Sequence, residues 1–362
     1  MTMNVRAAVA HEVGGRLKVE TIQLRSPGPG EVLVETKATG LCHSDTNVLD
    51  GRTLRQFPII LGHEAAGVVI ECGAGVDRLK PGDHVVGGPM AECGECLNCR
   101  SGRTNQCSKS DVLKGPDSTP FTFNGKPLNI LCPVASCANF TVAPHYYYSK
   151  CADEIPYDTA CLFGCAVMTG LGSALIVADL PPDCTAVIFG MGGVGLNVVD
   201  GARLVGARMI IGVDASPAKE AIARLFGVTH FIDASQTPDV AARIVELTGG
   251  GADYSFECVG NADLMAVALR CTRPEWGVSI VIGSDRKPVT IQPFDLMRGR
   301  TWKGALMGGA KARTDTTRFL NLLSEGKLHS NHLISHRLPL EDINQGYDLM
   351  RRGEGLRSVV VF

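Results

Sequence analysis

The chain has 362 residues, a length that suggests about two domains. Hydrophobic residues make up 45%, charged residues 20%, and the formal net charge is −2, the balance of an ordinary soluble globular protein. Without a basic run or a basic amphipathic stretch, neither nucleic acid nor a membrane surface is expected as a partner, and no apolar run is long enough to cross a bilayer.

The first half reads as β-rich. VRAAVA, LKVETI, EVLVETKATG, AAGVVIECG and PGDHVV are short apolar strands, with turns marked by Pro29-Gly30 and Pro81-Gly82. Three segments there could ligate a reactive metal: Cys42 with His43, Ser44 and Asp45; His63 with Glu64; and Cys165 after Gly164. Each is ambiguous alone, because a free cysteine is often a small core residue. Cys72, Cys132, Cys137, Cys151, Cys161, Cys184, Cys258 and Cys271 are read as packing residues.

The string ECGECLNCRSGRTNQC sets Cys93, Cys96, Cys99 and Cys107 at C-x2-C-x2-C-x7-C. Four thiolates at that spacing can enclose one zinc ion with no position left for substrate, so the site is structural. Disulfides, which need an oxidising compartment, and an iron–sulfur cluster are the alternatives. MTMNVRAAVAHEVGG lacks the apolar run of a secretory signal, so a reduced, cytoplasmic chain is expected and the cluster is read as zinc.

After about residue 170, strands and helices alternate. TAVIFG, MIIGVD, THFIDA, ADYSFECVG and WGVSIVIGS are strands separated by helical segments, the pattern of a parallel sheet covered on both faces. Gly190-Met191-Gly192-Gly193-Val194-Gly195 follows the first strand and opens a helix, which is G-x-G-x-x-G in its proper context. Asp214 ends the next strand, where a carboxylate accepts from the ribose 2′-hydroxyl and repels a 2′-phosphate, so NAD is expected rather than NADP. Lys219 could reach the same ribose. Past residue 308, helices DTTRFLNLLSEG and LEDINQGYDLMRRG and the strand RSVVVF return to the first domain. The expected organisation is a catalytic domain of residues 1–170 and 308–362 split by a doubly wound nucleotide-binding domain of 171–307, with a cleft between them.

GLCHSD, GHEAAG, KPGDHVV, the four-cysteine lobe, FGCAVMTGLGSA, GMGGVG, IGVD and GYDLMRRGEGLRSVV run in order over nearly the whole chain. By these strings the sequence resembles the zinc-containing medium-chain alcohol dehydrogenases. The resemblance implies an α/β fold, with a GroES-like β-rich catalytic domain and a Rossmann NAD-binding domain. It implies two zinc ions per chain, with Cys42, His63 and Cys165 as ligands of the catalytic one and Glu64 behind the metal. Asp45 would orient His63, and Ser44 would carry the alcohol proton towards the nicotinamide ribose. His43 and Arg357 would contact the pyrophosphate, and Thr169 and Val194 would line the nicotinamide. Pro89, Val112, Leu131, Cys132, Ser284, Leu306 and Met307 would line the substrate pocket.

The sequence also departs from the family pattern. Asn47 stands where many members end a proton relay with histidine, and an amide is no base near neutral pH. Pro89 replaces a large aromatic residue, so a bulky or aromatic primary alcohol is expected as substrate. A thiol-adduct dehydrogenase such as the glutathione-dependent formaldehyde branch is the alternative; it is disfavoured because Asp111 stands where an arginine is expected and an acidic pair is absent, with Arg52 and Arg55 near the pocket mouth instead. A polyol enzyme is disfavoured by Cys165, and a non-enzymatic NAD-binding protein by the intact ligand set. Members of the family it resembles that carry a long segment such as that between Cys107 and Cys165 tend to be dimers, so the resemblance implies a homodimer, paired through edge strands near residues 290–307.

Overall fold

The structure, a computed structural model, describes residues 2–110 and 119–362. Val112 and Asp111 lie outside the described residues. The chain forms two compact units: Met1–Cys165 with Lys311–Gly326 and Ser330–Phe362, and Ala166–Ala310 with Lys327–His329.

The first unit opens with strands β1 (Thr2–Ala10), β2 (Lys18–Arg25) and β3 (Glu31–Gly40), then helix α1 (His43–Leu49) and strands β4 (Ile59–Ile60), β5 (Ala65–Cys72) and β6 (His84–Gly87). A short helix α2 (Leu97–Arg100) lies in the cysteine lobe, followed by β7 (Phe121–Phe123), β8 (Lys126–Pro127), β9 (Asn129–Ile130), β10 (Phe140–Pro144), β11 (Tyr148–Lys150) and α3 (Tyr157–Ala160).

The second unit contains α4 (Ala166–Gly172), β12 (Thr185–Phe189), α5 (Gly193–Leu204), β13 (Met209–Asp214), α6 (Glu220–Phe226), β14 (His230–Asp233), α7 (Val240–Thr248), β15 (Tyr254–Glu257), α8 (Ala262–Arg270), β16 (Val278–Val281), α9 (Pro293–Met297) and β17 (Thr301–Gly304). The chain then returns to the first unit as α10 (Thr314–Ser324), β18 (Ile334–Leu338), α11 (Ile343–Arg351) and β19 (Arg357–Val361).

In the first unit, one sheet runs β8-β7-β2-β1-β4-β9 and a second runs β11-β6-β5-β3-β19-β18, with β10 also on β3. β3 is central and buried along most of its length, which explains its run of Val, Leu and Ala. β19 pairs antiparallel with β3, so the C-terminal strand completes a sheet begun by residues 31–40. One core cluster packs β1, β2 and α1 against Leu340, Ile343, Tyr347 and Val360.

In the second unit all pairs are parallel, in the order β14-β13-β12-β15-β16-β17. All five residues of β12, TAVIF, are buried, and each large aliphatic side chain there contributes roughly 1.5–3 kcal/mol. The sixth strand, β17, falls within residues 290–307, where the resemblance implies an edge strand, although TWKG has no apolar run; it forms one edge of the sheet and β14 the other.

The divisions fall at 165/166 and 310/311, not at 170/171 and 307/308. α4 packs on α5 so closely that a Cβ on Gly170 would lie 2.5 Å from Val194 O, and one on Gly308 would lie 2.6 Å from Met168 O. Residues 327–329 also join the second unit. Buried Asp200 accepts from the backbone N and the Nδ1 of His329 at 2.7 and 2.8 Å, and Arg203 donates to Lys327 O.

Candidate active site

Cys42 is the residue before α1, in extended conformation with φ −128°. Its placement depends on Asp45, which is completely buried. Asp45 Oδ2 accepts from Cys42 N at 3.2 Å; Oδ1 accepts from Gly62 N at 3.1 Å and meets His63 Nδ1 at 3.3 Å. One carboxylate thus ties the start of α1 to the segment carrying His63 and fixes the tautomer that leaves Nε2 for a metal. Gly62 has φ +87°, and a Cβ there would lie 2.5 Å from Ser136 Oγ. Nothing but glycine lets His63 approach at this turn.

The ligand atoms of Cys42, His63, Glu64 and Cys165 all lie within 4.8 Å of one another. Two sulfurs, one imidazole and a nearby carboxylate form a donor set suited to zinc with a position left for substrate. Glu64 Oε2 is buried without a partner among the described residues, as a group held close to an expected cation would be. Its other oxygen meets Arg357 Nη1 at 3.2 Å, and the same nitrogen donates to Leu41 O at 3.0 Å. Arg357, expected at the pyrophosphate, therefore has its described contacts in the metal centre.

The thiol hydrogen bond that Cys42 shares with Cys165 pushes Cys42 well below the usual thiol range and Cys165 well above it. Burial opposes charge on His63, but Asp45 and Cys42 outweigh it and hold the ring well above its ordinary value. Burial pushes the Glu64 carboxyl up to about 8 against the pull of Arg357.

Ser44 is exposed on the first turn of α1, its Oγ 3.8 Å from Cys42 Sγ, and His43 beside it is exposed too. Asn47 lies on the same helix and its carbonyl accepts from Thr53 N at 2.7 Å, closing the loop that leads back to His63.

Cys93, Cys96, Cys99 and Cys107 form the second cluster, again with all sulfurs within 4.8 Å. Cys93–Cys99 and Cys96–Cys107 are separated by 3.8 and 4.0 Å, far beyond a disulfide bond. Cys96 N donates to Cys93 Sγ and Cys99 N to Cys96 Sγ, both at 3.4 Å, so backbone N–H groups already favour thiolate. The Cys99 N–H leads the causes that draw Cys96 down to about 5.

In the second unit, Gly190 has φ +94° and a Cβ on Gly195 would lie 1.9 Å from Gly190 O, so both glycines are required by the turn. Gly192 precedes α5 with no side-chain cap, and a Cβ there would meet nothing within 4 Å. Gly193 and Val194 form the first turn. Open N–H groups at a helix start above a parallel sheet fit the pyrophosphate of a dinucleotide. Asp214 Oδ2 accepts from Met191 N at 2.7 Å and from Lys219 Nζ at 3.0 Å, tying the loop and the lysine to one carboxylate.

The expected pocket residues divide between the units: Pro89, Leu131 and Cys132 in the first, Ser284, Leu306 and Met307 in the second. Of the two roles expected for Cys132, packing and pocket lining, the structure gives it the first. It is 2% exposed and its thiol donates to Gly62 O at 3.5 Å, so it supports the turn before His63 and offers almost no surface. Met307 takes φ +49° and its Sδ accepts from Thr169 Oγ1 at 3.7 Å, while Leu306 and Ser284 are exposed.

Residues 28–152 match the alcohol dehydrogenase GroES-like domain and residues 193–325 the zinc-binding dehydrogenase domain. The chain is 44% identical to an S-(hydroxymethyl)glutathione dehydrogenase of Paracoccus denitrificans, across 99% of this chain and 100% of the relative. Among solved structures, an alcohol dehydrogenase zinc-binding domain protein from Burkholderia ambifaria superposes with TM-score 0.95 at 31% identity, covering 100% of both chains. Benzyl alcohol dehydrogenase from Acinetobacter calcoaceticus gives 0.93 at 26%, covering 99% of each. The chain belongs to the zinc-containing medium-chain alcohol dehydrogenase family. It is an oxidoreductase acting on CH–OH donors, with zinc and NAD as its cofactors.

Proposed function

We propose that this dehydrogenase oxidises the hydroxymethyl group of an anionic thiol–formaldehyde adduct, with S-(hydroxymethyl)glutathione as the model substrate. The observation that carries the reading is the 44% identity, over the full length, to a dehydrogenase of that adduct. The described loop between α1 and β4 adds a chemical reason. Arg52 is exposed, and Arg55 donates to Leu54 O at 2.8 Å while its buried Nε has no acceptor among the described residues. Glutathione carries two carboxylates that such guanidiniums can receive.

Asp45 holds His63 through Nδ1, which leaves Nε2 free for a metal, and Ser44, with its Oγ 3.8 Å from Cys42 Sγ, would take up the hydroxyl proton and pass its own on. Asn47 cannot take that proton further, so it leaves through water. Cys42, His63 and Cys165 would hold zinc, which would supply Lewis acidity, and the start of α5 would hold NAD, which would supply a hydride acceptor.

A second reading, oxidation of benzylic alcohols, is favoured by the Acinetobacter likeness and by Pro89 in place of a large aromatic residue. NADH formation from formaldehyde with and without glutathione, set beside benzyl alcohol, separates the two. The adduct is expected to give a kcat/KM at least about tenfold higher, a difference of about 1.4 kcal/mol in transition-state binding. Equal rates without glutathione, or benzyl alcohol as the better substrate, would reject the adduct reading.

We also propose a homodimer, paired through the β17 edge. The unpaired side of that strand is a template for a second copy, and Trp276, Phe294 and Met297 of the same unit are 58%, 64% and 76% exposed. Sedimentation is expected to give twice the 38.4 kDa chain mass, and a monomer at micromolar concentration would refute the pairing.

A further inference from the structure

In the second unit the strand order changes direction between β12 and β15. In open parallel sheets, ligands lie at such a point, beyond the carboxyl ends of the strands. Two helices begin there, and they are finished differently. α5 starts at Gly192 without a side-chain cap. At α8, every backbone N–H from Cys258 to Met265 is already taken. Cys258 N donates to Phe189 O at 3.0 Å. Glu257 Oε1 accepts from Val259, Gly260 and Asn261 N at 2.9, 2.8 and 3.4 Å. Asp285 Oδ2 takes Ala262 N at 2.9 Å, Asn261 Oδ1 takes Asp263 and Leu264 N at 2.9 and 3.1 Å, and Asn261 O takes Met265 N at 3.0 Å.

Glu257 is the centre of this arrangement. It is completely buried at the end of β15, and its backbone O also accepts from Ile282 and Gly283 N, both at 3.0 Å. Its Oε2 has no partner among the described residues. Room for it depends on Gly283, where a Cβ would lie 2.8 Å from Oε2 and 2.1 Å from Gly260 N. Burial pushes the carboxyl up against the pull of the three N–H groups. A fold seldom keeps a buried acceptor half satisfied, so the placement calls for an explanation. The turn it holds borders the phosphate loop: a Cβ on Gly190 would lie 2.8 Å from Val259 Cγ2, and Val259 is 54% exposed.

We propose that Glu257 is a positioning residue that sets the orientation of the dinucleotide. By collecting three N–H groups on one oxygen it removes the α8 start as a receiver of phosphate and holds Val259 as an apolar surface beside Gly190. The pyrophosphate is thereby sent to the open start of α5, and the rest of the cofactor extends along the β15 side. The proposal rests on NAD binding at Gly190–Gly195 and is independent of the substrate reading.

Glu257→Gln keeps an oxygen that can accept the three N–H groups, whereas Glu257→Leu removes it. NADH affinity by fluorescence titration, KM for NAD, kcat, zinc content and Tm are measured for both. The leucine variant is expected to weaken NADH binding and raise KM for NAD by about tenfold or more, with kcat at saturating NAD within about threefold and zinc unchanged. The glutamine variant is expected to stay within about threefold of the parent on every measure. A merely structural role would lower Tm and the active fraction without moving NADH affinity. Parent-like NADH binding in the leucine variant, or equal damage in both variants, would overturn the proposal. Should the leucine variant not fold, hydrogen exchange of the parent protein decides. Slow exchange of the Val259–Asn261 amides without NAD is expected, and exchange at open-loop rates would refute the closed turn.

Discussion

Cys42→Ser is expected to lower kcat by about three orders of magnitude or more in a protein that remains folded. Its zinc content should fall from two ions per chain to one, because the two clusters are separate ligand sets. The size follows from the chemistry. Lewis-acid stabilisation is worth several kcal/mol, and each tenfold in rate is about 1.4 kcal/mol. The fold should survive because backbone contacts hold Cys42 in place and a serine hydroxyl can take over the hydrogen bonding of its thiol. Its N donates to Asp45 and its O accepts from Asp45 N at 3.1 Å, and serine is a good residue at a helix start. Metal analysis, steady-state rates and a thermal melt check the result. Activity within tenfold of the parent would show that Cys42 is not a ligand.

Cys99→Ser is expected to act on stability. Cys99 is 9% exposed, and its loss opens the closed ligand set of the lobe. The lobe also holds other parts of its unit. Tyr147 Oη donates to Lys109 O at 2.8 Å, and Ala91 N donates to Ser110 Oγ at 2.7 Å. Glu92, next to the first ligand, receives Arg313 N at 2.7 Å, Thr314 N at 3.2 Å and Thr314 Oγ1 at 3.0 Å, so it caps α10 from a position more than two hundred residues away in sequence. Loss of a structural metal belongs to the changes that cost more than about 4 kcal/mol, which lowers Tm by about 10 °C in a unit of this size. The protein that stays folded should keep its kcat. A Tm within 2 °C of the parent after zinc loss would mean that the lobe is not a stabilising element.

Much of this was legible from local pattern. The strands TAVIFG and MIIGVD with GMGGVG between them read as a parallel nucleotide-binding unit because a buried strand is continuously apolar and a phosphate turn needs glycine. The four-cysteine lobe was legible because its ligands are close in sequence. Cys42, His63 and Cys165 were assigned through resemblance, since no short spacing joins them. The packing of Cys132 was legible as the common use of a free cysteine, but its partner was not, since nothing in the sequence joins its thiol to Gly62 O. Glu257 carried no signal either, because three of its partners are backbone N–H groups created by the turn itself.

The sequence by itself determined the class of fold, the dinucleotide loop and the closed zinc lobe, because each rests on periodicity or on neighbours a few residues apart. Only the tertiary structure decided the position of Arg357, the division at residues 165 and 310, and the closure of the α8 start by Glu257. In each case the deciding contacts exist only in the folded chain. A buried charge takes its meaning from the groups that replace its water. For Arg357 and Glu257 those groups are Glu64, Leu41 and a backbone turn, and for the α4–α5 contact it is van der Waals closeness at Gly170, none of which is visible until the chain has folded.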